Sequence, residues 1–382
     1  MEKNIRQQFQ EYYGKEALLV SAPGRVNLIG EHTDYNEGFV LPGAIDKKIY
    51  VAISKNNQNA LQVYAGQYQE KFSFSLNNVQ PVKGWATYLL GIIYYLQQQE
   101  KSIGGIDVLI DGDVPVGAGM SSSAALCAAF GLALNELFGL GLTRIELALI
   151  GQKTEHHFAG VKCGIMDQFA SLHGKTGHVI KLDCRSLEFE YIPFQFPEYK
   201  IVLVNTMVSH SLAGTEYNIR RQQCEEGIQI LRKYFPDVHS LRDISIAQLE
   251  QHRKDLPEII YRRCHFVVFE NDRLLQGCRL LTKGDLKGFG QLMYQTHEGL
   301  SHWYEVSCME SDFLTEKAKS FGITGARQMG GGFGGCTINI VKNDLVESFI
   351  QYISTVYEKE YKKNPEIYIT QIEDGAKVIR DV

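Results

Sequence analysis

The chain has 382 residues, 44% hydrophobic and 22% charged, which is an ordinary globular mixture with material for two domains or one large one. A net charge of −5 argues against a nucleic-acid or membrane surface as partner. The eight cysteines form no Cys-x-x-Cys pair and no Asn-x-Ser/Thr sequence occurs, so reduced thiols in the cytoplasm are expected. The first 15 residues are polar and amphipathic, with no apolar run for a secretory signal, and predict a short helix over 2–13. Strand-like alternation follows at 17–22, 39–54 and 61–75. Residues 85–99 read as a helix with an aromatic-aliphatic face, and 106–111 as a buried strand. A glycine-rich loop then enters a long helix. Its apolar stretch, 124–142, is broken by Asn135 and Glu136, so no membrane span is expected. Strands are predicted across 178–205 and helices over 215–235 and 257–281, with the polar 236–256 stretch as a surface excursion. Residues 323–341 read as strand, glycine loop, strand, and 343–361 as a last amphipathic helix before an extended tail. Strands and helices interleave in both halves, which predicts an α+β fold of two domains, 1–200 and 201–382.

The segment from Pro115 to Ala124, PVGAGMSSSA, carries the strongest local chemistry. Gly117 and Gly119 let the backbone approach a ligand closely. Three serines follow at the start of a strong helix former, where unpaired N–H groups and the helix dipole attract phosphate. Rival nucleotide motifs fail. A Walker A reading of Gly174-Lys175-Thr176 finds Phe169 where its first glycine belongs. The Gly-x-Gly-x-x-Gly run at 330–335 precedes a strand-like CTINIV rather than a helix, which is the wrong context for a dinucleotide. Protein-kinase motifs are absent from the sequence.

PVGAGMSSSAAL resembles the second motif of the GHMP kinases, with Met120 in place of the usual Leu. The run from Ala22 to Tyr35, APGRVNLIGEHTDY, resembles the galactokinase signature of that superfamily, and MGGGFGGCTI at 329–338 resembles its third motif. CGIMDQF at 163–169 and GTEYNIRRQQC at 214–224 match the galactokinase branch in particular. The resemblance covers most of the chain, from about 22 to 340. It implies two α+β domains with the active site in the cleft between them. It also implies transfer of the γ-phosphoryl of ATP to the C1 hydroxyl of galactose, in a monomer. An N-acetylgalactosamine kinase, another sugar kinase of the superfamily and a non-catalytic sugar sensor are the alternatives.

The resemblance also implies roles. Glu31, His32, Thr33, Asp34, Gly164 and Tyr217 would bind the sugar, and closely spaced carboxylates and an imidazole suit several hydroxyls. Asp167 would be the catalytic carboxylate. It lies in an apolar run, where a charge needs a partner, and Arg25 is expected to supply it. Gly117, Ala118, Gly119, Met120, Ser121, Ser122 and Ser123 would cradle the phosphates, with Trp85 and Tyr88 walling the adenine. Ser123 and Glu155 would hold Mg²⁺. His156 and His157 adjoin Glu155, but neighbours on a helix point apart, so surface or packing roles are expected for both.

Overall fold

A computed structural model describes residues 1–66, 69–208 and 213–380. In chain order the elements are α1 (Glu2–Tyr13), β1 (Leu18–Asn27), β2 (Phe39–Val40), β3 (Pro42–Lys55), β4 (Ala60–Ala65), β5 (Glu70–Ser75), α2 (Ala86–Gln98), β6 (Ile106–Gly112), α3 (Ser122–Phe138), α4 (Arg144–Thr154) and α5 (Met166–His173). There follow β7 (His178–Asp183), β8 (Phe189–Pro193), β9 (Tyr199–Asn205), α6 (Ala213–Leu231), α7 (Ile246–Gln251), α8 (Glu258–Thr282), α9 (Leu286–Glu298) and α10 (Met309–Phe321). The last elements are β10 (Gly325–Gln328), β11 (Cys336–Lys342), α11 (Val346–Tyr361), β12 (Glu366–Thr370) and β13 (Lys377–Ile379).

Three sheets organise these elements. The largest has the order β13-β1-β3-β6-β4-β5, and only its β4–β6 pairing is parallel. Its inner face packs on α2, α3 and α4 through Val51, Ile53, Leu89, Ile93, Ala129 and Phe130. β1 is buried along nearly its whole length and α3 nearly all round, which makes this the main core. A four-stranded antiparallel sheet, β10-β11-β9-β12, packs on α10 and α11 through Val202, Val204, Leu314, Phe349 and Ile353. β2, β7 and β8 form the third sheet.

The two large sheets are joined by apolar contact. Val26, Leu28 and Ile29, at and just beyond the end of β1, cluster with Leu203, Leu274, Phe289 and Ile338. The chain's last strand also returns to the first sheet, pairing Leu19 with Ile379. The fold is the expected α+β arrangement. The 236–256 stretch departs from its polar reading: Val238, Leu241, Ile244, Leu249 and Leu256 are buried against α6 and α8. Its polar residues serve as caps, with Ser240–Asp243 and Ser245–Gln248 each forming a capping box. All eight cysteines are free. No helix among the described residues is long and apolar enough to cross a membrane.

Candidate active site

The site begins where β1 crosses the glycine-serine loop. A Cβ on Gly24 would lie 2.7 Å from the Met120 carbonyl, so only glycine lets the two backbones run this close. The next residue, Arg25, donates its N–H to that same carbonyl at 3.1 Å. Its guanidinium is buried and grips both oxygens of Asp167, Nε to Oδ1 at 2.8 Å and Nη2 to Oδ2 at 3.0 Å. Nη1 donates to Gly119 O at 2.6 Å. Burial works against the Arg25 charge, but Asp167, Glu31 and Asp34 more than restore it. Asp167 stands in the first turn of α5 and also accepts from Ser121 Oγ at 2.5 Å.

Gly117, Gly119 and Ser121 have left-handed φ of 77°, 75° and 58°. These turns deliver the chain into α3, whose first residue is Ser122. The Ser121 side chain does not cap that helix. Its hydroxyl goes to Asp167 instead, so the first-turn N–H groups of α3 stay open to an anion.

Facing Asp167 is the 30–39 loop. Gly30 N–H donates to the buried carboxylate of Glu270 at 2.8 Å. The Thr33 hydroxyl sits between Gly30 O at 2.9 Å and Phe39 O at 2.5 Å, so Thr33 closes the loop on itself. Glu31 is buried and accepts from Arg327 Nη2 at 2.9 Å and from Gly330 N–H at 2.8 Å. Both bonds land on Oε1, and no hydrogen bond from the described residues reaches Oε2. Burial alone would raise the Glu31 carboxyl, but Arg327 and Arg25 hold it below the usual range. The His32 imidazole has Nδ1 at 2.7 Å from the Tyr35 hydroxyl. Its Nε2 has no hydrogen-bond partner among the described residues. Burial lowers its pKa to about 4, so the ring is neutral near pH 7. Asp34 presses against Gly164, where any Cβ would overlap its carboxyl group. Tyr217, on α6, closes a third side with its ring 5.2 Å from His32 and 5.3 Å from Tyr35.

Arg25, Glu31, His32, Asp34, Asp167 and Tyr217 line a cavity of about 490 Å³, roofed by Gly330, Gly331, Gly332 and Phe333. A second cavity of about 360 Å³ adjoins it, and Tyr88 and Ser123 line both. The second is mainly apolar, walled by Trp85, Tyr88, Ile110, Val114 and Leu126. Glu155 lines the larger cavity from a π-helical turn, Glu155–Ala159, that continues α4. Such turns shift the register by one residue and recur at functional sites. His156 bonds Cys163 O through Nε2 at 2.7 Å, and His157 bonds the Tyr95 hydroxyl through Nδ1 at 2.5 Å. His156 is half-buried and packed against the Cys163 backbone, while His157 lies exposed at the surface. Arg327, Tyr35, Tyr304 and Ser121's link to Asp167 are the features that sequence reasoning did not find.

Burial pushes the Asp34 carboxyl up to about 7, helped by the neighbouring Asp167 charge. A carboxyl raised in the folded state holds a proton that the unfolded chain releases near pH 4. Stability from this group is therefore lost as pH rises from about 4 to about 7. Asp34→Asn keeps the acceptor for Tyr35 N–H, 3.0 Å away, and removes the charge. It is expected to stabilise the ligand-free protein by about 1–3 kcal/mol at pH 8, and by little at pH 4.5. Thermal unfolding at the two pH values checks this, and equal shifts at both would contradict it.

The chain matches the GHMP kinases N terminal domain over residues 87–175 and the GHMP kinases C terminal domain over 279–359. It matches the galactokinase galactose-binding signature over 7–55. A galactokinase of Roseiflexus sp. (strain RS-1) is 39% identical over 380 residues, 99% of this chain and 97% of its own length. One from Thermosipho africanus (strain TCF52B) is 38% identical over 368 residues, 95% of this chain and all of its own. Among solved structures, Lactococcus lactis galactokinase complexed with galactose superposes with a TM-score of 0.95 at 34% identity, covering 99% of this chain and 100% of that one. Methanococcus jannaschii mevalonate kinase shares the fold at 18% identity, with a TM-score of 0.67, 94% of this chain and 99% of its own.

Proposed function

The chain belongs to the galactokinase family of the GHMP kinases, and from that premise we propose that it phosphorylates the C1 hydroxyl of galactose with ATP. The O1–P bond forms as the bond between the γ-phosphorus and the β–γ bridging oxygen breaks, the hydroxyl proton is lost, and galactose 1-phosphate and ADP leave. The observation that carries this reading is the Arg25–Asp167 pair, set between the polar cavity and the open N-terminus of α3. Phosphoryl transfer needs positioning and charge stabilisation more than covalent help. Asp167 orients the C1 hydroxyl and takes up its proton, while Arg25 offsets charge on the attacking and transferred oxygens.

The sugar lies in the larger cavity. Glu31 Oε2, His32, Asp34, the Gly164 backbone and Tyr217 meet its hydroxyls there. A sugar with a misplaced hydroxyl leaves one of these buried groups unpaired, which is the strong form of discrimination. The nucleotide lies across the glycine-serine loop, its phosphates on the first-turn N–H groups of α3 and its base in the apolar cavity beside Trp85 and Tyr88. Ser123 and Glu155 fit a small hard cation. Glu155 is a nearly buried carboxyl pushed up to about 7 by burial, against a hydrogen bond with Ser123. A carboxyl in that state suits a counter-charge that arrives with the ligand. Mg²⁺ takes few protein oxygens and several from phosphate and water. When bound, it would neutralise phosphate charge.

A panel of galactose, N-acetylgalactosamine, glucose, arabinose, homoserine and mevalonate, each with Mg-ATP, tests the reading. ADP release is expected with galactose, with phosphorus NMR placing the phosphate on C1. A purified protein that phosphorylates no sugar at C1 would overturn it, and preference for the 2-acetamido sugar would move the substrate.

A further inference from the structure

His32 stands at the end of a run of buried and half-buried hydrogen-bonding groups that the reaction outlined above leaves unused. From its Nδ1 the run passes to the Tyr35 hydroxyl at 2.7 Å, on to the Tyr304 hydroxyl at 2.7 Å, and to Cys224 Sγ at 3.2 Å. Three separate parts of the chain supply it. Tyr35 lies in a 3₁₀ turn, Asp34–Asn36; Cys224 lies on α6; Tyr304 directly follows a π-helical turn, Gly299–Trp303. Tyr304 and Cys224 are fully buried.

The members have little freedom. Arg220 Nε donates to Tyr304 O at 2.9 Å and its Nη2 to Glu305 O at 2.8 Å, while Arg263 Nη1 holds Trp303 O at 2.6 Å. Asn36 Nδ2 donates to His32 O at 2.8 Å and fixes the left-handed backbone there, where φ is 60°. The imidazole is thus set in place from both its backbone and its Nδ1 side, and it lines the larger cavity with Nε2 unpartnered among the described residues.

A neutral imidazole carries one proton, so the role of Nδ1 dictates the role of Nε2. If the Tyr35 hydroxyl donates to Nδ1, the proton must sit on Nε2. Arg220 and Arg327 oppose a second proton, so the ring carries a single one whose place the partner of Nδ1 decides. With thiol donating to Tyr304, Tyr304 to Tyr35 and Tyr35 to Nδ1, each hydroxyl both accepts and donates, and such chains strengthen one another.

We propose that Tyr35 and Tyr304 are positioning residues whose hydroxyl relay, closed by Cys224, holds His32 as the neutral tautomer with its proton on Nε2, ready to donate to a sugar hydroxyl. The relay rests on the reading of this cavity as the sugar site. It sets which sugar atom His32 accepts as a partner: an oxygen lone pair there is welcome, and a second donor is rejected.

Nitrogen-15 NMR of the full-length protein with labelled histidine rings, His32 identified by its loss in His32→Gln, gives the direct test. The relay predicts a protonated Nε2 and a hydrogen-bonded, unprotonated Nδ1 in the wild type. An Nδ1–H tautomer overturns it, whether or not any variant folds. Tyr304→Phe is expected to mix the tautomers and to raise KM for galactose about tenfold, the worth of one hydrogen bond, with KM for ATP and kcat within about twofold. In a His32→Gln background, whose amide donor needs no tautomer control, Tyr304→Phe adds nothing; an equal effect in both backgrounds overturns the proposal. A wild type that phosphorylates no galactose counts against the kinase reading. An Nδ1–H tautomer in an active wild type counts against the relay alone.

Discussion

Asp167→Asn is expected to cut kcat for galactose by about 10³-fold or more while the sugar still binds within about tenfold of the wild-type affinity. The substitution keeps the side chain's size. It removes the charge and one of the two oxygens that Arg25 Nε, Arg25 Nη2 and the Ser121 hydroxyl share. The transition state then loses its proton acceptor, and Arg25 loses the group that aims it. Sugar affinity is carried mainly by the 30–39 loop, Gly164 and Tyr217, which the change leaves in place. A second signature follows from electrostatics. The Asp167 charge helps to raise the Asp34 carboxyl, so its removal should lower the pKa of Asp34. A coupled ADP assay gives kcat and calorimetry gives galactose affinity. Retention of a tenth of wild-type turnover would remove Asp167 from the chemistry. Loss of sugar binding as great as the loss of turnover would make it a binding group instead.

The pairing at the centre of that prediction was readable from residue types. A carboxylate in GIMDQF has to find a cation, and Arg25 was the candidate although 142 positions separate them. The glycine-serine loop was readable for a similar reason, because its backbone requirement is local and glycine announces it. What stayed hidden has no local signal. Ser121 reads as a helix cap, and only its left-handed backbone turns the hydroxyl toward Asp167. Tyr304 looks like any tyrosine after a tryptophan, since the π-helical turn that points it at Tyr35 leaves no sequence mark. α4 carries apolar residues around its whole circumference although only one face is buried, and α5 is only eight residues long, so neither announces itself by a clean amphipathic stripe. The 236–256 stretch misleads in the opposite sense: its many polar residues mask five apolar ones that fill a core under α8. Thr33 belongs to the signature, yet its hydroxyl is spent inside the loop, so its contribution is to hold the shape of its neighbours.

Arg327 is the case where distance along the chain hides the most. Arg327→Met is expected to destabilise the protein by about 3–5 kcal/mol, the range found when one partner of a buried ion pair is removed. The guanidinium is wholly buried. It donates to Leu28 O and Gln328 O, each at 2.6 Å, to Asn27 O, and to Glu31 at 2.9 Å. Methionine fills similar volume but leaves three carbonyls short of a donor and Glu31 without its charge partner. Glu31→Gln should be milder, about 1–3 kcal/mol, because the amide oxygen can still accept from Gly330 N–H and Arg327 keeps its carbonyls. The double variant should be more stable than the sum of the two losses predicts, since it buries no uncompensated charge. Urea midpoints at unchanged slope measure all three. An Arg327→Met loss below about 1 kcal/mol would show that the pair is replaceable by packing. The consequence reaches function through Gly330, whose N–H shares Glu31 Oε1 with Arg327. That one oxygen ties the 30–39 loop to the glycine-rich roof of the cavity, across 299 positions of sequence. Arg327→Met should therefore loosen both walls of the sugar cavity together, and raise KM for galactose more than KM for ATP in whatever fraction of the protein remains folded.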